Sequence, residues 1–234
     1  MSELADRWQS VRDRVHAACA RVGRAPDEVT IVAVSKVHPA SAVAEAWAAG
    51  ARDFGENYVQ EWQRKAEDPA LLARSGLRWS FIGHLQRNKV RHLLGRVDLI
   101  ETVDSTRLAR EISRRGASRG GSFAQKILLQ VNLAGEEGKG GFHPDALRSA
   151  MSELTALPGV DVRGLMHIPP ARRNPSETRV DHRALRTLRD GLEAAYPVGL
   201  PVLSMGMSSD FEVAIEEGAT RVRVGTAVFG ARPR

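Results

Sequence analysis

Apolar residues recur every three or four positions over residues 3 to 22, with Trp8, Val11, Val15, Cys19 and Val22 on one side, and this spacing predicts a helix. After Gly23 and Pro26 the pattern changes to short apolar runs that alternate with amphipathic segments. The runs VTIVAVS (29–35), ARDFG (51–55), WSFIG (79–83) and VDLIETV (97–103) read as strands. So do AQKILLQVN (124–132), VDVRGLM (160–166), PVLSM (201–205) and TRVRVG (220–225). Between them lie helical patterns such as SAVAEAWAAG, NYVQEWQRKAED, RLAREISRRGA, ALRSAMSELTAL, RALRTLRDGLEAA and DFEVAIEEG. Strict alternation predicts a parallel sheet, and eight repeats predict a closed (β/α)8 TIM barrel with an extra N-terminal helix. The competing architecture is an open doubly wound sheet. No composition shift marks a boundary, so residues 1–234 are expected to form a single domain, a length usual for such barrels.

In a barrel, chemistry collects where strands end and the following loops begin. Those positions hold Lys36, Glu56 with Asn57, His84, Asp104, Asn132, His167, Ser204 and Arg223. Lys36 is an odd residue to end a buried strand, because an ammonium is costly to desolvate. It is also a rare one: of 34 basic residues only Lys36, Lys65, Lys89, Lys126 and Lys139 are lysines. A guanidinium stays protonated, whereas a desolvated amine can attack a carbonyl. Arg223, on the eighth strand, would neighbour Lys36 once the barrel closes.

Barrels often hold phosphate in the loops after strands seven and eight. Here those loops offer Gly206, Ser208 and Ser209, then Gly225 and Thr226. Ser209 and Glu212 also read as a capping box for the following helix. An amine, a phosphate site and an arginine beside both fit a ligand with an aldehyde, an aromatic nitrogen and a phosphate. Pyridoxal 5′-phosphate (PLP) has all three. In that reading Lys36 carries the Schiff base, the two loops hold the phosphate and Arg223 donates to the pyridine nitrogen.

Other chemistries find less support. NLAGEEGKGGF (132–142) fails as a nucleotide-binding loop, with Leu133 where glycine is needed and Gly140 after Lys139 where Ser or Thr is needed. It reads better as a glycine-rich flap, with Lys139 either near the site or solvated. The seven histidines lack metal-ligand spacing, and one cysteine, Cys19, makes neither a thiolate site nor a disulfide and reads as buried. His84 and His167 are expected to line the pocket. The net charge of +6 keeps nucleic acid under consideration. However, Arg179, Arg183 and Arg186, with Arg172 and Arg173 in the preceding loop, lie close to acidic residues. Aromatic residues make up only 5% of the chain, so the stripe reads as a solvated helix face. There is no signal peptide or membrane-spanning run, so a cytoplasmic location is expected.

The segments VAVSK (32–36), FGENYVQE (54–61), WSFIGHLQRNK (79–89), RGLMHIP (163–169) and LSMGMSSDFEVAIEEGATRVRVGTAVFGAR (203–232) resemble the YggS/PROSC family of PLP homeostasis proteins. The resemblance runs in order along nearly the whole chain. It implies a single-domain TIM barrel similar to the N-terminal domain of alanine racemase, and a carrier or regulator of PLP rather than a catalyst. It places the Schiff base on Lys36, Arg223 at the pyridine nitrogen and Ser208, Gly225 and Thr226 on the phosphate. Met207 and Ser204 belong to the same cofactor set, with Ser204 beside the ring, and Asn57 and His84 line its other side. His167 departs from the family pattern. PLP-dependent apo-enzymes are the implied partners, and a monomer is implied by the lack of a racemase-like second domain.

The alternatives are a PLP-dependent amino-acid racemase and a basic nucleic-acid-binding module. A racemase needs a second base opposite Lys36, and of the two tyrosines only Tyr58 lies near the expected pocket.

Overall fold

The structure is a computed structural model and describes residues 2–170 and 174–231. Eight parallel strands close in sequence order: β1 (Thr30–Val34), β2 (Asp53–Glu56), β3 (Arg78–Phe81), β4 (Leu99–Val103), β5 (Gln125–Val131), β6 (Val160–His167), β7 (Val202–Ser204) and β8 (Arg221–Val224). The expected (β/α)8 barrel is the observed one, and the open sheet is excluded by the β1–β8 ladder, in which Val32 is registered with Arg223. The weak second run becomes a fully buried strand, DFGE, shifted two residues from its expected start.

Around the barrel run α1 (Glu3–Arg21), α2 (Ala40–Ala48), α3 (Val59–Ala66), α4 (Pro69–Leu72), α5 (Val90–Leu93), α6 (Thr106–Ala117), α7 (Pro144–Ala156), α8 (Pro175–Ala195), α9 (Phe211–Glu216) and α10 (Thr226–Phe229). The main core lies between barrel and helices. Val222 and Val224 face it from β8, while Leu147, Met151 and Leu154 reach it from α7 and Leu185, Leu188 and Leu192 from α8. A second apolar cluster, Leu99, Leu128 and Met166, joins β4, β5 and β6.

Alternation along a strand sends every other side chain to the opposite face, and on β8 this sets Arg221 and Arg223 opposite the valines. Arg221 bonds Glu101 at 2.8 Å, Ser80 at 2.8 Å and Asp53 at 3.3 Å, so a charged layer crosses the barrel from β8 to β4, β3 and β2. Buried charges of this kind persist only when paired, and Glu101 is fully buried.

Helix α1 packs across α9 and α10, where Arg14 bonds Glu212 at 2.7 Å and Arg7 donates to the Val228 carbonyl at 2.9 Å. Cys19 is buried there, as expected. The expected Ser209–Glu212 capping box is absent. The N-cap of α9 is Asp210, and Glu212 is drawn instead to the guanidinium of Arg14. The arginine stripe on α8 is partly exposed, as expected, but it is also paired. Arg179 bonds Glu216 and Glu217, and Arg183 and Arg186 also bond Glu217, binding α8 to α9. Arg172 and Arg173 lie outside the described residues. Among the described residues no helix is long and apolar enough to cross a membrane.

Candidate functional site

At the C-terminal ends of the strands a cavity of about 370 Å³ opens between the loops after β1, β7 and β8. Lys36, Asn57 and Arg223 line it together with Met207, Ser208, Gly225 and Thr226, and Val34, Ile82 and Ile168 supply its apolar wall. The wall thus carries two basic side chains and no carboxylate among the described residues. A larger cleft of about 670 Å³ lies at the opposite end, by Trp8, Arg12 and Arg78. That is the end of a barrel associated with stability rather than chemistry.

Each wall group is held by its own strand or loop. Lys36 is half-buried at the second position of a turn that follows β1 and is closed by His38 N–H donating to the Ser35 carbonyl at 3.0 Å. Arg223 is buried on β8. Its two terminal nitrogens donate to Ser204 Oγ at 2.6 Å and the His167 carbonyl at 2.8 Å, and Ser204 in turn donates to Glu101 at 2.5 Å. Burial lowers the Arg223 guanidinium below its usual value, and the nearby Glu101 and Asp210 carboxylates oppose that. The backbone N–H groups of Gly225 and Ala227 converge on Ser208 Oγ at 3.2 and 3.3 Å, which puts two amides and a hydroxyl at one end of the cavity. At Gly206 φ is +90°, and a Cβ there would sit 2.5 Å from that of Ala214, so the tight loop requires glycine. Asn57 Oδ1 is buried without a hydrogen-bond partner.

Six expected residues besides Lys36 therefore meet in one cavity: Asn57, Met207, Ser208, Arg223, Gly225 and Thr226. Three do not. His84 is largely exposed and pairs with Asp104 at 3.3 Å on a neighbouring depression, because the loop after β3 leads its side chain outward. Ser204 is fully buried beneath Arg223 and touches that guanidinium instead of the cavity. His167 ends β6 with its ring on the outer face, bonded at 2.9 Å to His182 of α8, which reaches Asp210 at 3.0 Å. Burial, then His182 and Arg223, hold His167 well below the ordinary histidine value. Asp210 loses to desolvation part of what its bonds to His182 and the Met207 amide supply, and the net result is a lowered carboxyl. Lys139 is paired with Glu136 at 2.6 Å in a flap fastened by the Asn132 carboxamide.

Several residues that support the cavity lie outside the expected set. Glu101 within VDLIETV and Arg221 within TRVRVG were the available signal, since a charge inside a buried run demands a partner. Lys65 stands out only as one of five lysines, and Glu61 and His182 carry no mark, because helical charges read as solvent-facing. Burial raises the Glu56 carboxyl, against the pull of the Lys65 ammonium 2.5 Å away.

A (β/α)8 barrel with a lysine after β1 and backbone amides gathered on a serine at β7 and β8 defines a structural class, and the family model described as alanine racemase, N-terminal domain, matches residues 7–233. The chain is 45% identical to the pyridoxal phosphate homeostasis protein of Aquifex aeolicus over 97% of each chain. It is 40% identical to the protein of that name from Escherichia coli K12, over 99% of this chain and 98% of the relative. PipY of Synechococcus elongatus PCC7942, solved with PLP bound, superposes with a TM-score of 0.86 at 39% identity, covering 97% of this chain and all of that one. The chain belongs to the pyridoxal phosphate homeostasis protein family.

Proposed function

We propose that this chain binds PLP covalently at Lys36 and serves intracellular PLP homeostasis, holding the cofactor and passing it to PLP-dependent apo-enzymes. The observation that carries the reading is the joint presence of the Lys36 amine, the buried Arg223 guanidinium and the Gly225 and Ala227 amides around one cavity with no carboxylate among the described residues. The residues fit the cofactor's three groups. Lys36 Nζ, once deprotonated, forms a C=N bond to the aldehyde, and the carbonyl oxygen leaves as water with the two amine hydrogens. Ser208, Gly225, Thr226 and the Ala227 amide supply donors for the phosphate. A Cβ at Gly225 would make only an ordinary 3.5 Å contact with Val34, so the protein itself does not require glycine there, and close approach of a ligand accounts for it. Asn57 offers the partnerless Oδ1 to the ligand, and Met207 closes the phosphate side. Ser204 acts through Arg223, and His84 belongs to the rim.

PLP supplies an electron sink when its ring nitrogen is protonated. Arg223 holds its protons tightly and is fixed by Ser204 and the His167 carbonyl, so it donates a hydrogen bond to that nitrogen without protonating it. This favours holding the cofactor over turning substrate over. The racemase reading also needs a second base, and Tyr58 is 60% exposed, on the depression shared with His84. The reading is of a cytoplasmic monomer that binds neither nucleic acid nor membrane.

The test is the visible spectrum of the protein with PLP, beside Lys36→Ala, before and after borohydride. A band in the wild type that reduction fixes to the chain, and that Lys36→Ala lacks, is the expected result. Equal spectra for the two proteins would refute the reading. Racemisation above background that Lys36→Ala abolishes would replace carrier with enzyme.

A further inference from the structure

The turn that carries Lys36 has an unusual third residue. Val37 has φ +64°, and it is the one non-glycine residue with positive φ among those described. A turn closed by an i to i+3 hydrogen bond with positive φ at its third position is ordinarily given glycine there, and β-branched residues are the least suited. Such strain persists only where the surroundings over-determine it.

Here they do so from both sides of Lys36. Glu61 Oε1, on α3, accepts the Val37 N–H at 2.5 Å. Lys65, one turn further along α3, donates to the Ser35 carbonyl at 2.7 Å and to Glu61 at 2.9 Å. It also reaches Glu56 Oε1 at 2.5 Å, and that same oxygen accepts the Ser35 hydroxyl at 2.6 Å. The residue before Lys36 and the residue after it are thus gripped by one buried charge cluster that does not line the cofactor cavity. An ion pair whose only task was to dock α3 on the barrel would have no need to reach both peptides that flank the lysine.

We infer that Glu61 and Lys65 are positioning residues: they clamp the strained Ser35–His38 turn and so set the direction in which Lys36 presents its amine to the cavity. The inference rests on the PLP reading above and deepens it. It also accounts for Lys65, a second retained lysine, as a compact buried donor that serves Ser35, Glu56 and Glu61 at once.

The experiment compares wild type, Lys36→Ala, Glu61→Ala, Glu61→Gln and the double variant Val37→Gly/Glu61→Ala. PLP is titrated by absorbance, borohydride-fixed label is counted, and hydrogen exchange of the Val37 amide is followed in the protein alone. Thermal unfolding confirms that each variant is folded. Glu61→Ala is expected to weaken PLP binding about tenfold and to release the Val37 amide to exchange. Glu61→Gln keeps an acceptor and loses less than about threefold. In the double variant glycine adopts the turn without strain, so affinity returns to within about threefold of wild type, a rescue that a purely structural role for Glu61 does not give. A wild-type band that persists unchanged in Glu61→Ala, or a double variant as weak as Glu61→Ala, would overturn the positioning role while leaving the cofactor reading intact. If wild type and Lys36→Ala show the same spectrum, the cofactor reading falls and the positioning role with it.

Discussion

Gly83 shows how little room single residues have at this site. A Cβ at that position would lie 1.9 Å from the Asn57 carbonyl oxygen, so the loop after β3 touches the backbone of a cavity residue directly. Gly83→Ala must therefore displace Asn57. The expected cost is about 1–3 kcal/mol in urea unfolding, as for overpacking in general, accompanied by weaker PLP binding. An unchanged affinity would show that the position of Asn57 is not critical. Arg223 poses the opposite case, a charge kept in place by what surrounds it. Arg223→Leu leaves the Ser204 hydroxyl and the His167 carbonyl without their donor, while Glu101 keeps its ion pair with Arg221. It is expected to destabilise the fold by about 1–3 kcal/mol, the cost of a buried acceptor left unsatisfied. The more informative variant is Ser204→Ala. It frees one arm of the guanidinium while leaving the charge, and it takes a donor from Glu101, so it should shift the absorption maximum of bound PLP at a cost of about 1–3 kcal/mol in stability.

Among the elements, the contact of β6 with α8 and the loop after β7 is polar where a barrel wall is usually apolar: His167, His182 and Asp210 form one buried chain. Folded His167 is held neutral by burial, so below about pH 6.5 the unfolded chain takes up a proton that the native chain refuses. Native stability should then fall as pH drops through and below that value, by at most about 1.4 kcal/mol per pH unit for this group. Asp210 works in the same direction at lower pH, because its lowered folded value means that stability is lost as it becomes protonated. Urea unfolding of the wild type at pH 7.5 and 5.5 should reveal the loss, and His167→Leu/His182→Leu should show a smaller one; equal losses would remove the chain of histidines from the acid response. None of this chain was legible beforehand, since His182 in a helix looks the same whether it faces water or a strand. The strands were legible almost to the residue, because each is a short apolar run between polar loops. The single-turn helices α4, α5 and α10 were not, as four residues are too few to show a period. The loops that line the cavity were readable from glycine and serine alone, whereas which side chains stand beneath them depended on strand register. His84 and Ser204 stand outside the cavity lining for that reason.

At the scale of the whole molecule, α1 closes the ring of helices by packing on α9 and α10 to one side and α2 to the other, and Trp8, Val11 and Val15 bury its inner face. Trp8→Ala, at a side chain 4% exposed, should cost about 3–5 kcal/mol, measured by denaturant unfolding. A loss below about 1 kcal/mol would mean that α1 is an appendage and not part of the core. The same closure constrains when the cavity can exist at all. Its amine comes from Lys36 and the amides at its other end from Gly225 and Ala227, so the first strand made must wait for the last. At a synthesis rate of about 5–20 residues per second, that wait lasts roughly 10–40 s on the ribosome. On the proposed reading, a nascent chain has no place to seat a cofactor. Only finished molecules would then draw on the supply, and a burst of translation would take up none until the first copies are complete.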